Sequence, residues 1–154
     1  MKKRTGFVSN SSSSSFIVIS TKRDLFREKD YFSRYKDAVI VVDENFGQIC
    51  FGWEVETYRR FEDKVCFSYI QANYVKNKKW ISMLEKVIKN LTSCKAIEWK
   101  IDSNNPYNDD YYGYIDHQSA STENANTEMF ASEEILTCFL CTADSYIQGD
   151  NDNH

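Results

Sequence analysis

The sequence predicts a single α+β domain, a mixed β-sheet with three to four helices packed on it. Three observations predict it. The chain has 154 residues, about one domain in length. Apolar residues make up 42 % and aromatics 15 %, enough for a real core and too many for global disorder. Short β-branched or alternating stretches are interleaved with stretches of helical period, in the order β-α-β-β-α-α-β-β-α-β.

Residues 1–15 read as a polar arm ending in Asn10 and the serine run Ser11 to Ser15. Serines bury almost no apolar area, so the arm is expected to be mobile unless a partner chain or a groove of the same domain holds it, through Phe7 and Val8. The domain proper is assigned to residues 16–149, and residues 150–154 to an acidic polar tail. Phe16-Ile17-Val18-Ile19 reads as a short buried strand. Thr21, with Asp24 three residues on, resembles a helix N-cap. Leu25, Phe26, Phe32 and Tyr35 then give residues 22–35 a loose apolar face. Ala38 to Val42 is β-branched and apolar, the clearest strand in the chain. Asp43 to Gly47 is a turn, and Gln48 to Trp53 is expected to return as the second arm of a hairpin.

Tyr58, Phe61, Val65, Tyr69 and Ala72 recur at spacings of three and four, which predicts a helix over about 57–75. After Asn77, Trp80, Met83, Leu84, Val87, Ile88 and Leu91 form a second stripe, with lysines on the opposite face. Ala96 to Ile101 alternates as a half-buried strand. Tyr112 to Ile115 is a short strand between polar loops. Ser132 caps a last helix whose first turn carries Glu133 and Glu134, and Ser145 to Gln148 closes the chain as a strand. The strands at 16–20, 38–43, 48–53 and 96–101 are expected in one sheet.

Charge is split along the chain. Residues 1–100 hold all 19 Lys and Arg against 12 acids, a net of +7, while the last 54 residues hold 11 acids and no Lys or Arg, a net of −11. Either the two parts neutralise each other on folding or one of them faces a charged partner. No apolar run reaches the roughly 20 residues needed to span a bilayer, so no membrane association is expected. Met1-Lys2-Lys3-Arg4 leads into no apolar stretch, so no secretory signal is expected. Five cysteines without framework spacing predict free thiols and a reducing, cytoplasmic compartment. Cys138 and Cys141 form Cys-x-x-Cys inside an apolar helix, where packing is the expected role.

Gly6-Phe7-Val8-Ser9-Asn10-Ser11-Ser12-Ser13-Ser14-Ser15-Phe16-Ile17-Val18 resembles an N-terminal segment of many uncharacterised proteins of large tailed phages and some bacteria. Tyr114-Ile115-Asp116-His117-Gln118-Ser119 and the end from Ser145 to His154 resemble one such phage family. The resemblance implies an origin, in the host cytoplasm or on the virion, and no chemistry.

Candidate functional residues lie mainly in the acidic third. Tyr111, Tyr112 and Tyr114 supply contact area at low entropy cost, and Asp116, His117, Gln118 and Ser119 follow on a loop, so these seven form the expected binding surface. Phe7, Val8 and Asn10 are the expected contacts of the arm. His117 has the pKa for acid–base work. With Asp116, Asp150 and Asp152 it makes the alternative site, a divalent-cation hydrolase or nuclease, since carboxylates and imidazole suit Mg²⁺ or Mn²⁺. Ser119 lacks a Gly-x-Ser-x-Gly elbow. Lys2, Lys3 and Arg4, Arg59 and Arg60, and Lys76, Lys78, Lys79, Lys86 and Lys89 could meet phosphates, but no nucleic-acid motif accompanies them. The expectation carried forward is a phage-type interaction protein with a protein partner or self-association, no cofactor and no catalysis.

Overall fold

The computed structural model describes residues 2–5, 13–21, 31–51, 56–102, 113–115 and 127–151. In chain order these form β1 (Lys2–Thr5), β2 (Ser13–Ser20), β3 (Val39–Val42), β4 (Cys50–Phe51), β5 (Glu56–Tyr58), α1 (Phe61–Tyr74), α2 (Lys78–Thr92), β6 (Ala96–Trp99), β7 (Tyr114–Ile115), α3 (Glu133–Cys141) and β8 (Tyr146–Asn151). Single 3-10 turns lie at Ser33–Tyr35 and Glu128–Ala131. The class is α+β, as expected.

The strands pair otherwise than expected. An antiparallel sheet runs in the order β1-β2-β8-β5. β3 pairs in parallel with β6, and β4 in parallel with β7. The strands at 16–20, 38–43 and 48–53 therefore fall into three separate ladders rather than one sheet. The hairpin expected at 38–53 does not form. Its turn exists, with Asp43 Oδ1 accepting from the amides of Asn45 at 2.9 Å and Phe46 at 3.1 Å. Past the turn, however, the Gln48 amide donates to Asp63 Oδ1 at 2.8 Å instead of to β3. The start of α1 takes the donor that a hairpin ladder would need, and β3 finds its partner beyond two helices.

The N-terminal stretch enters the sheet through its backbone. Lys2–Thr5 pairs with Ile17–Ser20, and Ser13, Ser14 and Ser15 pair with Asn151, Asp150 and Gly149. The strand read as starting at Phe16 thus begins at Ser13, because ladder hydrogen bonds need only main-chain groups. The helix read over 22–35 falls largely outside the described residues, and its last turn is the 3-10 turn.

α2 matches its stripe. Leu84, Val87 and Ile88 are buried, Trp80 and Met83 are half-buried, and Lys78, Lys79, Lys86 and Lys89 are exposed. Asn77 caps it, accepting from the Trp80 amide at 3.1 Å, and Ser132 caps α3 in the same way through the Ile135 amide at 3.0 Å. α1 was expected to be amphipathic and is not. Every residue from Phe61 to Ser68 is buried, including Glu62, Asp63 and Lys64. It packs against both α2 and α3 and meets β7, so its first two turns have no face left for solvent. Its polar side chains are held instead by neighbours, as buried polar groups must be.

The core is aromatic around α1. Phe51 meets Phe67 and Tyr58 edge-on at 5.1 and 5.2 Å, and Phe61 meets Phe32 at 4.9 Å. Tyr69 stacks on Trp99 at 4.2 Å and Trp80 on Phe130 at 4.7 Å. Cys66, Cys94, Cys138 and Cys141 are buried free thiols, in keeping with a packing role for the Cys-x-x-Cys pair.

Candidate functional site

The start of α1 is where the fold concentrates its charge. Arg60 stands at the helix N-cap position, and Glu62 and Asp63 lie in the first turn. Carboxylates suit the positive end of the helix. Glu62 is only 2 % exposed and accepts hydrogen bonds from two phenols, Tyr31 at 2.9 Å and Tyr35. Burial, and then the neighbouring carboxylate, push the Tyr31 hydroxyl up to about 12 and raise that of Tyr35 as well. Both stay protonated donors at neutral pH. Arg34 lies over the two rings at 5.0 and 5.6 Å. Arg60 reaches Glu62 at 3.5 Å and Asp63 at 3.7 Å. Burial raises the Asp63 carboxyl above its usual range, opposed by the Gln48 amide and Arg60.

Beside this cluster opens a polar cleft of about 530 Å³. One wall is the turn with Glu44, Asn45, Gly47 and Gln48. The other is β5 with Arg59 and Arg60, and Asp63 lines the cleft as well. The walls are fixed by internal bonds. Thr57 Oγ1 donates to Gln148 Oε1 at 2.6 Å, and Gln148 Nε2 donates to the Glu56 carbonyl at 3.2 Å. Arg59 donates to the Ala143 carbonyl at 2.9 Å and lies over the Tyr146 ring at 4.4 Å.

Gly47 lets the turn sit directly on the backbone of α1. A Cβ there would lie 2.7 Å from both the carbonyl carbon and the oxygen of Glu62, which are backbone atoms of α1. A helix backbone cannot move aside as a side chain can. Gly47→Ala is therefore expected to lift the turn from α1, break the Gln48–Asp63 bond and cost about 1–3 kcal/mol. Urea unfolding of the variant measures it, and unchanged stability would mean that the turn is not seated on the helix.

Few of the residues singled out by sequence meet here. Arg59 and Arg60 do, but as partners of carbonyls and carboxylates rather than as a basic patch. Tyr114 lies in β7, its backbone opposite Cys50, and Asp150 lies in β8 opposite Ser14. Tyr111, Tyr112, Asp116, His117, Gln118, Ser119 and Asp152 lie outside the described residues, as do Phe7, Val8 and Asn10. Among the described residues no group of three His, Cys, Asp or Glu could hold a metal ion, and no helix is long and apolar enough to cross a membrane. Sequence reading missed Glu62, Asp63 and the turn as one site. The only local signal was the dense run Arg59-Arg60-Phe61-Glu62-Asp63-Lys64, five charged residues out of six at the head of a helix whose period looked apolar. No protein-family model matches this chain, and no curated protein or solved structure matches it significantly.

Proposed function

We propose that this is a non-catalytic interaction protein of phage type, acting in the host cytoplasm or on the virion, which holds a protein partner in the cleft beside α1. One observation carries the reading. The cleft walls carry charges of both signs, and several are anchored to the fold before any partner arrives: Arg59 on Ala143 and Tyr146, Arg60 on Glu62 and Asp63, Gln48 on Asp63. Polar groups ordered in advance lower the entropy cost of binding and select partners by charge. The resemblance of the serine segment and of the Tyr-Ile-Asp-His-Gln-Ser stretch to tailed-phage proteins supports the setting.

The test is co-purification from phage-infected cells with tagged wild type and a Glu44→Lys/Glu56→Lys variant, both positions being exposed. A protein recovered in near-stoichiometric amount with wild type and lost with the variant is the expected result. Equal recovery with both would remove the cleft from the reading.

A further inference from the structure

The end of α1 opposite the cleft carries a second concentration of charge. The helix has 14 residues and closes on Tyr74, so it spans about 20 Å. The turn into α2 is tight. The amides of Val75, Lys76 and Asn77 donate to the carbonyls of Gln71, Asn73 and Ala72 at 3.2, 3.0 and 2.9 Å, and Asn77 then caps α2. Residues 74–79 are thus fixed between two helices.

Three lysines stand there, Lys76, Lys78 and Lys79, all exposed. Among the described residues their ammonium groups form no ion pair or hydrogen bond. Arg59, Arg60, Lys64 and Lys86 are by contrast each held by a partner in the fold. No Asp or Glu occurs between Asp63 and Glu85, so no acid lies within five residues of the three lysines along the chain. Lys76 holds its charge in the left-handed region (φ 56°), where glycine is less strained. Beside them is Tyr74, 48 % exposed, the one exposed ring among the described aromatic side chains.

Unpaired cations beside an exposed ring fit one kind of partner. Ammonium groups attract phosphates, and any base can stack on a ring face. A duplex hides its base faces. An acidic peptide uses the lysines but has no flat ring to lay on the tyrosine. The net charge of −4 repels polyanions at long range, so the contact depends on this local patch.

We propose that the turn between α1 and α2 is a contact surface for single-stranded nucleic acid, with Lys76, Lys78 and Lys79 on phosphates and a base stacked on Tyr74. This goes beyond the reading of the cleft and stands independently of it.

The experiment follows the fluorescence anisotropy of labelled oligothymidylate and oligouridylate, each about twelve nucleotides long, with the full chain between about 20 and 200 mM salt. The expected result is saturable binding whose log K falls against log salt with a slope of about −2, about −0.7 for each of three phosphates. Lys76→Gln with Lys78→Gln and Lys79→Gln should remove most of that slope. Tyr74→Ala should weaken binding about tenfold at every salt concentration with the slope unchanged, and Tyr74→Phe should not weaken it. Lys76→Gly should melt no lower than wild type and still bind more weakly, which separates the charge from the fold. Binding of either oligonucleotide supports the proposal, and the tighter of the two names the sugar. No saturable binding at the lowest salt, or undiminished binding by the triple glutamine variant, would overturn it. An abasic strand that binds as tightly as oligothymidylate would overturn the stacking on Tyr74. A duplex or an oligoglutamate peptide that competes as well as the single strand would assign the surface to another polyanion and overturn the choice of partner.

Discussion

Between pH 7 and about 9 the stability of this protein will rise with pH, and the Lys64→Met variant will lose that rise. Lys64 is fully buried in α1, its ammonium nitrogen 2.7 Å from the Thr142 carbonyl and 2.8 Å from the Ser145 carbonyl. It lies 5.8 Å from the centre of the Phe139 ring. Burial pushes the amine down to about 7. Cys141, Asp63 and Glu62 oppose the shift, and Arg59 adds to it. In the unfolded chain a lysine titrates near 10.4. Between the two values the unfolded chain binds a proton that the folded one does not. Stability then increases with pH, by at most about 1.4 kcal/mol per pH unit for one group. Below pH 7 both states are protonated and the slope from this group vanishes. At the alkaline end the sign reverses. Burial raises the thiol of Cys66 and the hydroxyls of Tyr31 and Tyr35, so the folded state keeps protons that the unfolded chain releases above about pH 9. A maximum near pH 9 follows. Methionine fills similar volume but leaves two carbonyls without this donor, at about 1–3 kcal/mol for each group left unsatisfied. The variant should therefore be less stable than wild type at pH 9, by a margin that narrows as pH falls to 6. Urea unfolding of both proteins at half-unit steps from pH 6 to 9.5 decides it. Parallel curves would show that the Lys64 amine stays charged in the folded state.

That lysine also marks where reading the sequence stops working. α2 was legible because one side of it meets solvent, so its lysines and its apolar stripe separate at helical spacing. Ser132 was legible as a cap because capping is a bond within three residues of sequence, and Asn77, which the reading placed just before α2, caps that helix in the same way. α1 obeys another rule. It is central, and Glu62, Lys64, Ser68 and Gln71 occupy positions that an amphipathic helix would give to water. The partners of the two charged ones come from distant segments: Tyr31 and Tyr35 for Glu62, and Thr142 and Ser145 for Lys64. Nothing local announces such pairs. The β-pairing failed for a related reason. A turn with good Asx chemistry after a strong strand predicts a hairpin, yet the Gln48 amide and Gly47 are engaged by α1. The cleft is assembled from residues 44–48, 56–60 and 63, so no single spacing could reveal it. Glu44 and Glu56 are ordinary exposed acids until the fold sets them on two walls.

Replacing Leu84 with alanine will cost about 2–5 kcal/mol. Leu84 has no exposed surface and lies on the same face of the helix as buried Val87 and Ile88 one turn on and half-buried Trp80 and Ile81 one turn back. α2 packs on α1 and on α3 at once, so the face that carries Leu84 is shared by two neighbours. Removing three methyl-sized carbons there opens a void. α1 cannot shift to fill it without disturbing Lys64 and its two carbonyls, and α3 cannot follow without moving Thr142, the residue after its last turn. A site that cannot collapse pays for the cavity as well as for the lost transfer free energy, which places the expected cost in the upper half of the range. At about 2–4 °C per kcal/mol for a chain of this size, the midpoint of thermal unfolding should fall by roughly 6–20 °C. Leu84→Met keeps the volume and should cost less than about 1.5 kcal/mol. Lys79→Ala, on the exposed face of the same helix, should stay within about 0.5 kcal/mol of wild type. If Leu84→Ala and Lys79→Ala melt together, α2 presents a different face to the core, and the seam joining α1, α2 and α3 is not where the fold draws its stability.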